Sequence, residues 1–194
     1  AHVFDGLGTT VTVVNRSKTL LRHLDDDISS RFNQIARDRF DVRIATGTKL
    51  EKTDNGVRLE LDNGESVEAE AILIATGRTP NGDQMDVGKA GIELLADGRI
   101  ATDEFGRTAA EGVWALGDVS SPYMLKHVAN AETRAVQHNL LHPEDLRPLP
   151  HDNVPAAIFT HPQIATVGLT EKQAREKGFD VAVKVQNFGD VAYG

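Results

Sequence analysis

Cysteine is absent from the 194-residue chain. Its absence excludes disulfide bonds, thiolate metal ligands and a cysteine nucleophile from these residues. The seven histidines are scattered along the chain and form no His-Glu-x-x-His pattern. That pattern places two imidazoles on one helix face for zinc. The sequence therefore predicts no metal site.

Long apolar runs and an excess of basic residues are also missing. No stretch reaches the roughly 18 consecutive apolar residues of a membrane-spanning helix. The formal net charge is −8, whereas a nucleic-acid-binding domain presents clustered Lys and Arg. No basic-then-apolar leader is seen at the start, so nothing indicates secretion. We therefore expect no membrane, no nucleic acid and a cytoplasmic location.

The chain begins with the pattern of the second half of a βαβ unit, which is followed by a helix and a meander of three strands. Residues 1–8 are typical of the last turn of a helix that ends at a glycine, and residues 10–14 form a β-branched run that predicts a strand. A helix is predicted from Asp25 to about Phe40. Its apolar stripe lies at 3.6-residue spacing and comprises Ile28, Phe32, Ile35 and Ala36. Three further strands are predicted over residues 41–50, 57–61 and 66–75, the last ending in a buried apolar run.

The loop after the first strand is basic. Asn15 ends the strand, and Arg16, Lys18 and Arg22 follow. In dinucleotide-binding folds an acidic residue here binds the ribose hydroxyls of NAD, and an arginine accommodates the 2′-phosphate of NADP. A neutral Asn15 with nearby cations favours NADPH. The alternative is an ordinary solvated surface loop.

Two apolar runs each deliver a glycine followed by a charged residue. Residues 113–116 predict a short buried strand that stops at Gly117-Asp118, and residues 71–75 lead to Gly77-Arg78. In open α/β sheets, ligands bind just past the carboxyl ends of the strands. Glycine lets a ligand approach the backbone, and an ionised aspartate accepts hydrogen bonds from ligand hydroxyls. The alternatives are a plain turn at Asp118 and an exposed or salt-bridged Arg78.

A helix is predicted from about residue 125 to residue 141, and its N-terminus points back toward the Gly117-Asp118 strand end. One face of this helix is mostly small or apolar and comprises Leu125, Val128, Ala129, Glu132, Ala135, Val136 and Leu140. A helix N-terminus favours an anionic or electron-rich group, whereas His127 can equally be a histidine without a ligand. Beyond a proline-rich linker, strands are predicted at 156–159, 164–167 and 179–185, with a helix capped by Thr170.

Three segments, in order, resemble motifs of the pyridine nucleotide–disulfide oxidoreductase family. Residues 75–81 resemble its Ala-Thr-Gly-Arg-x-Pro-Asn segment, where the NAD(P) domain returns to the FAD domain. Residues 108–118 resemble its second flavin motif, and residues 159–171 resemble the entry to its dimerisation domain. Any one of these motifs alone would be weak support, but their order and spacing cover most of the chain.

The resemblance implies an α/β fold, with α+β character at the C-terminal end. Residues 1–75 would be the C-terminal part of a Rossmann-like NAD(P)H-binding domain, residues 76–149 the second segment of an FAD-binding domain, and residues 150–194 the start of a dimerisation domain. The family's first flavin motif, redox cysteine pair and catalytic His-Glu pair are not found in this sequence. We therefore expect an internal piece of a longer enzyme that is inactive alone.

The resemblance also implies FAD and NADPH as cofactors and assigns residues to each. The residues implied for FAD are Gly117, Asp118, Met124, Leu125, Lys126 and His127. The residues implied for NADPH are Asn15, Arg16, Arg22, Gly77 and Arg78. No catalytic or metal-binding residue is expected within the chain. The partners implied are a low-molecular-weight disulfide substrate and a second copy of the enzyme in a homodimer.

Within the family, residues 15–22, 25–29 and 185–187 most resemble the mycothione reductases of actinobacteria. The alternatives within the family are a dihydrolipoamide dehydrogenase, a mercuric reductase or a transhydrogenase relative. Dihydrolipoamide dehydrogenases usually carry Glu where Asn15 stands. An alternative of another class is a short protein that binds a nucleotide or a partner and catalyses nothing.

Overall fold

The computed structural model describes residues 1–192. The chain divides into two compact units. The first contains Ala1–Ile74 together with the segment that begins at Ala157, and the second is Ala75–Ala156. The chain therefore leaves the first unit after Ile74 and returns to it at Ala157.

A parallel βαβ arrangement forms the centre of the first unit. Helix α1 spans His2–Gly6, strand β1 spans Thr12–Asn15, helix α2 spans Asp26–Arg39 and strand β2 spans Asp41–Ile44. Strands β1 and β2 pair in parallel, with Thr12 opposite Asp41 and Asn15 opposite Ile44. Because parallel neighbours need a crossover, α2 connects them. The predicted first strand and helix are thereby confirmed, whereas the parallel pairing of β1 with β2 was not predicted.

Helix α2 forms where predicted, but its buried face differs from the predicted stripe. Aspartates in its first turn and arginines in its last turn suit the helix dipole. The buried residues are Ser29, Phe32, Asn33 and Ala36, whereas Ile28 is 45% exposed. The prediction at Ile28 was therefore wrong. The inward face turns toward Ser29 and Asn33 because both side chains hydrogen-bond the loop before the helix.

An antiparallel meander follows: β3 (Gly47–Thr53), β4 (Gly56–Leu61) and β5 (Ser66–Ala69), paired in that order. The single strand predicted over residues 41–50 was wrong, because β2 and β3 belong to different sheets. The prediction of a buried strand over residues 71–75 was also wrong. Strand β5 ends at Ala69 and the Ile74 side chain is 68% exposed. An apolar run is buried only where other elements cover it, and no strand among residues 1–192 pairs with this one.

The returning segment contributes strands β6 (Ala156–Ile158) and β7 (Ile164–Thr166), which pair with each other. It also contains a short helix over Glu171–Glu176. Thr170 caps that helix as predicted, through a capping box with Gln173. Ile164 packs on the core formed by Phe32, Ala36 and Phe40. The strand predicted over residues 179–185 was wrong, since no regular element forms there.

The second unit is largely irregular apart from helix α3 (Lys126–Leu141), which forms where predicted. Its small core contains Ile92, Ile100 and Ala115. The sequence also predicts a short strand over residues 99–102, but neither this strand nor the one predicted over residues 113–116 forms. Only isolated bridges form, Leu94 with Ile100 and Arg107 with Trp114, because neither segment has a long neighbour to pair with. Across residues 1–192, no helix combines the length and apolarity needed to cross a lipid bilayer.

Candidate functional site

The turn at Gly117-Asp118 connects the Ala115 segment to helix α3. Gly117 has φ +71°, a left-handed conformation that favours glycine. A Cβ atom at Gly117 would lie 3.4 Å from the Ala129 Cβ on α3. Glycine at position 117 therefore permits both the left-handed turn and the close packing of helix α3 against it. A short 3-10 turn over Gly117–Val119 places Asp118 on its outer side.

A buried carboxylate on α3 holds this turn. The Gly117 N–H donates to Glu132 Oε2 at 2.6 Å, and His151 Nε2 donates to Glu132 Oε1 at 2.6 Å. Glu132 is fully buried. Burial raises its pKa, but the hydrogen bonds from His151, the Gly117 N–H and Ser121 outweigh burial and leave the pKa of Glu132 lowered. The carboxylate is thus ionised near neutrality and accepts from both sides of the turn.

Asp118 and Arg78 lie together on the surface of the second unit. Arg78 Nη1 is 3.4 Å from Asp118 Oδ2, and Arg78 Nη2 donates to the Met124 carbonyl oxygen at 2.9 Å. The two side chains are 65% and 53% exposed. An exposed pair of this length contributes little to stability. The Asp118 carboxylate therefore keeps lone pairs that are open to further donors.

The N-terminus of α3 lies beside this pair and is uncapped. Leu125 occupies the N-cap position and makes no side-chain cap hydrogen bond. Met124 precedes it with φ +47°. Met124 and Leu125 are half-buried, whereas Lys126 and His127 are exposed. His127 Nε2 contacts the Pro155 carbonyl oxygen at 2.8 Å, so its ring is already engaged. The free N–H groups of the first turn can bind an electron-rich group.

The basic loop after β1 lies in the first unit. Asn15 Nδ2 donates to the Ser17 carbonyl at 2.6 Å, so the amide closes the loop. Arg16 and Arg22 are exposed. In the described part of the chain, neither of them makes a salt bridge with an acidic side chain. The loop therefore presents two uncompensated guanidinium groups, which suit a phosphate.

The predicted site residues are divided between the two units. Gly77 and Arg78 lie in the second unit with the residues predicted for FAD, and Gly77 is exposed with φ +131°. The second unit thus contains Gly77, Arg78, Gly117, Asp118, Met124, Leu125, Lys126 and His127. Asn15, Arg16 and Arg22 lie in the first unit.

The sequence analysis did not predict two pairs of residues that support the site. Glu132 and His151 hold the Gly117 turn, while Ser29 and Asn33 hold the basic loop. The available signal was a polar residue on an otherwise apolar helix face, as at Glu132. His151 carried no such signal, because it comes from a proline-rich segment. Within residues 1–192 no cluster of His, Asp and Glu side chains is arranged to hold a metal ion.

Two family models identify the class of protein to which this chain belongs. The family model described as "Pyridine nucleotide-disulphide oxidoreductase" matches residues 1–135, and the dimerisation-domain model of the same family matches residues 154–194. The chain belongs to the pyridine nucleotide–disulphide oxidoreductase family. The predicted α/β fold and the predicted family are thereby confirmed. Membership implies binding of FAD and of NAD(P)H, and the second model implies that members form homodimers.

Individual relatives within this family show which members the chain is similar to. Mycothione reductase of Mycobacterium tuberculosis is 52% identical over the whole of this chain, which covers 43% of that relative. A mercuric reductase of Staphylococcus aureus is 36% identical over 95% of this chain, and the match covers 34% of that reductase. Among solved structures, the HOCl-induced flavoprotein disulfide reductase RclA from Escherichia coli matches with a TM-score of 0.80 at 30% identity, covering 91% of this chain and 41% of that one. The chain thus spans less than half the length of these relatives.

Proposed function

We propose that this chain is the central part of an FAD-dependent, NADPH-using reductase of a low-molecular-weight disulfide, similar to mycothione reductase. The 52% identity to that enzyme across all of this chain supports the substrate class. The observation that carries the cofactor assignment is the exposed Asp118 carboxylate beside Arg78 and the uncapped N-terminus of α3. It combines a hydroxyl acceptor with free backbone donors in one unit.

The residues of the second unit fit a flavin. Asp118 would accept hydrogen bonds from ribityl or neighbouring hydroxyl groups, and the buried Glu132 would hold its turn in place. The first-turn N–H groups of α3 would face an electron-rich part of the flavin. Met124, Leu125, Lys126 and His127 would lie along it. Gly117 would leave room for the close approach of the backbone.

The residues of the first unit fit a 2′-phosphorylated dinucleotide. Arg16 and Arg22 would bind the 2′-phosphate, and the neutral Asn15 would not repel it. Gly77 and Arg78 of the second unit are also assigned to the nicotinamide cofactor, and Arg78 would in addition orient Asp118. When bound, NADPH supplies a hydride and FAD relays its electrons to a redox dithiol. The chain's own residues bind and orient these groups, and the dithiol lies outside this chain.

The remaining assignments follow from the same proposal. Residues 1–75 would belong to the NAD(P)H-binding domain, residues 76–149 to the FAD-binding domain and residues 150–194 to the dimerisation domain. The enzyme would work as a cytoplasmic homodimer, and this chain alone would be inactive. The family model that matches residues 154–194 is a dimerisation domain, which supports the assembly.

Replacement of Asp118 tests the flavin assignment. In the full-length reductase, Asp118→Ala removes one charged hydrogen-bond acceptor, which is worth about 1.5–3 kcal/mol. The affinity for FAD should therefore fall by roughly ten- to a hundred-fold. This loss would be seen as a lower flavin content after gel filtration. Glu111→Ala, an exposed carboxylate of the same unit, is the matched control. Full flavin occupancy in Asp118→Ala would show that Asp118 is only a turn residue.

The choice of nicotinamide cofactor is tested separately. The full-length enzyme should turn over NADPH with a higher kcat/KM than NADH, and Arg16→Ala with Arg22→Ala should remove that difference. A strong preference of the unmodified enzyme for NADH would contradict the assignment of the basic loop. It would instead favour a relative of the dihydrolipoamide dehydrogenases.

A further inference from the structure

The basic loop contains a backbone conformation that leucine rarely adopts. Leu21 has φ +55°, in the left-handed region, and it directly precedes Arg22. A bulky residue in this region is strained and persists only where its surroundings hold it. The Leu24 N–H donates to the Leu21 carbonyl at 3.0 Å and closes a tight turn. The backbone that carries Arg22 is therefore constrained at Leu21, and the Arg22 side chain donates from Nε to His23 Nε2 at 3.3 Å.

Two side chains of α2 hold the residue immediately before this strained position. The Leu20 N–H donates to Asn33 Oδ1 at 2.9 Å, and Asn33 Nδ2 donates to the Leu20 carbonyl at 3.0 Å. Ser29 Oγ donates to the same carbonyl at 2.9 Å. Both backbone groups of Leu20 are thus bonded to one helix. We call Ser29 and Asn33 the loop clamp.

The loop clamp is buried and internally connected. Ser29 and Asn33 are 6% and 8% exposed, and Asn33 Nδ2 also donates to the Ser29 carbonyl at 2.7 Å. The Leu20 and Leu21 side chains pack on the core of Phe32, Ala36 and Phe40. A buried polar pair on the inner face of a helix needs partners, and here the loop supplies them. The loop is therefore ordered when the protein folds, so that ligand binding does not have to supply the free energy of ordering it.

We propose that Asn33, assisted by Ser29, is a positioning residue that determines selectivity for the 2′-phosphorylated nucleotide. It does so by holding the strained Leu20-Leu21 turn that directs Arg22, while touching no part of the nucleotide itself. The proposal rests on the proposed function, in which Arg22 binds the 2′-phosphate. Selectivity then depends on a helix that lies behind the loop as well as on the cations within it.

The test compares nucleotides that differ only in the 2′-phosphate. Dissociation constants for NADP⁺ and NAD⁺ are measured on the full-length protein by quenching of its intrinsic fluorescence or by calorimetry. Asn33→Ala should weaken NADP⁺ binding roughly ten-fold, because the loop must then be ordered on binding, and should leave NAD⁺ binding within about two-fold. Ser29→Ala removes one hydrogen bond of the loop clamp and should change the same ratio by a smaller factor.

Ser30→Ala provides the matched control, since Ser30 neighbours the loop clamp but is exposed. It should leave both dissociation constants unchanged. If Asn33→Ala fails to fold, Ser29→Ala compared with Ser30→Ala still decides the proposal. An equal loss for both nucleotides, or no change in their ratio in either loop-clamp variant, would overturn it.

Failure of the proposed function is distinguishable from failure of this inference. If Arg22→Ala leaves the NADP⁺ to NAD⁺ ratio of the unmodified protein unchanged, then Arg22 does not bind the 2′-phosphate and the proposed function fails at this loop. If Arg22→Ala lowers the ratio but the loop-clamp variants do not, then only the positioning role of Asn33 and Ser29 is overturned.

Discussion

Glu132 offers a sharp test of how the Gly117 turn is held. Its carboxylate is fully buried and accepts from the Gly117 N–H and His151 Nε2, each at 2.6 Å. Replacing it with alanine leaves both donors without their acceptor and opens a cavity. Leaving a buried donor without its acceptor costs about 1–3 kcal/mol. Glu132→Ala removes the acceptor of two donors, so it should lower the free energy of unfolding of the second unit by about 2–5 kcal/mol.

Glu132→Gln separates charge from shape. Glutamine has the same size but a single acceptor oxygen, so either the Gly117 N–H or the His151 ring faces an amide NH2 group. The loss of one charge-assisted hydrogen bond predicts a cost of about 1.5–3 kcal/mol. Trp114 is the only tryptophan in the chain and lies in this unit. Urea unfolding followed by Trp114 fluorescence thus reports on the relevant unit.

The cost of Glu132→Gln should depend on pH. The folded-state pKa of Glu132 is lowered from its usual value of 4.5. A lowered carboxyl pKa contributes stability that is present above the unfolded pKa and lost as pH falls through the folded pKa. The difference between the unmodified protein and Glu132→Gln should be full at pH 7 and should shrink below about pH 4.5.

Two results would refute this reasoning about Glu132. One is a difference between the unmodified protein and Glu132→Gln of less than about 0.5 kcal/mol at pH 7, which is the range of ordinary surface substitutions. The other is a difference that stays constant from pH 7 to pH 3. Glu111→Gln, an exposed carboxylate in the same unit, is the control and should stay within that range.

Two further substitutions test local backbone arguments. Gly117→Ala places a Cβ on a residue in the left-handed conformation, at φ +71°, and should destabilise the second unit by about 1–2 kcal/mol in the same Trp114 assay. Gly88→Ala is the control, because there is open space around Gly88. Equal effects of the two substitutions would contradict the backbone argument. Thr170→Ala removes the capping box of the helix over Glu171–Glu176 and should cost that helix about 1 kcal/mol. Faster amide hydrogen exchange within the helix would show this loss, Thr170→Ser should preserve protection, and unchanged exchange in Thr170→Ala would contradict the role of the cap.

Local signals in the sequence predicted the helices well. Acidic residues before α2, the small-residue pattern of α3 and the Thr170 cap each act within a few residues of one another. The motif order also identified the family, because each motif is a short run of residues. The strands were less predictable. Residues 71–75 and 113–116 have the composition of buried strands, but a strand forms only when another segment pairs with it.

The supporting residues depend on contacts between distant parts of the chain. Asn33 and Leu20 are 13 residues apart, and Glu132 and His151 are 19 residues apart. No spacing rule along one helix or strand connects such pairs. A polar residue on an apolar helix face indicates that some partner exists, but the identity of the partner is set by which loop packs over the helix.

The sequence alone determined the family, the helices and the residue types that we propose for cofactor binding, namely a basic loop after β1 and a Gly-Asp turn before α3. Only the tertiary structure decided how these are held. It placed the Asp118 carboxylate 3.4 Å from Arg78, buried Glu132 beneath the turn, and joined Leu20 to the loop clamp. The physical reason is that composition and periodicity act over a few residues, whereas hydrogen bonds to buried side chains form only after distant segments have packed together.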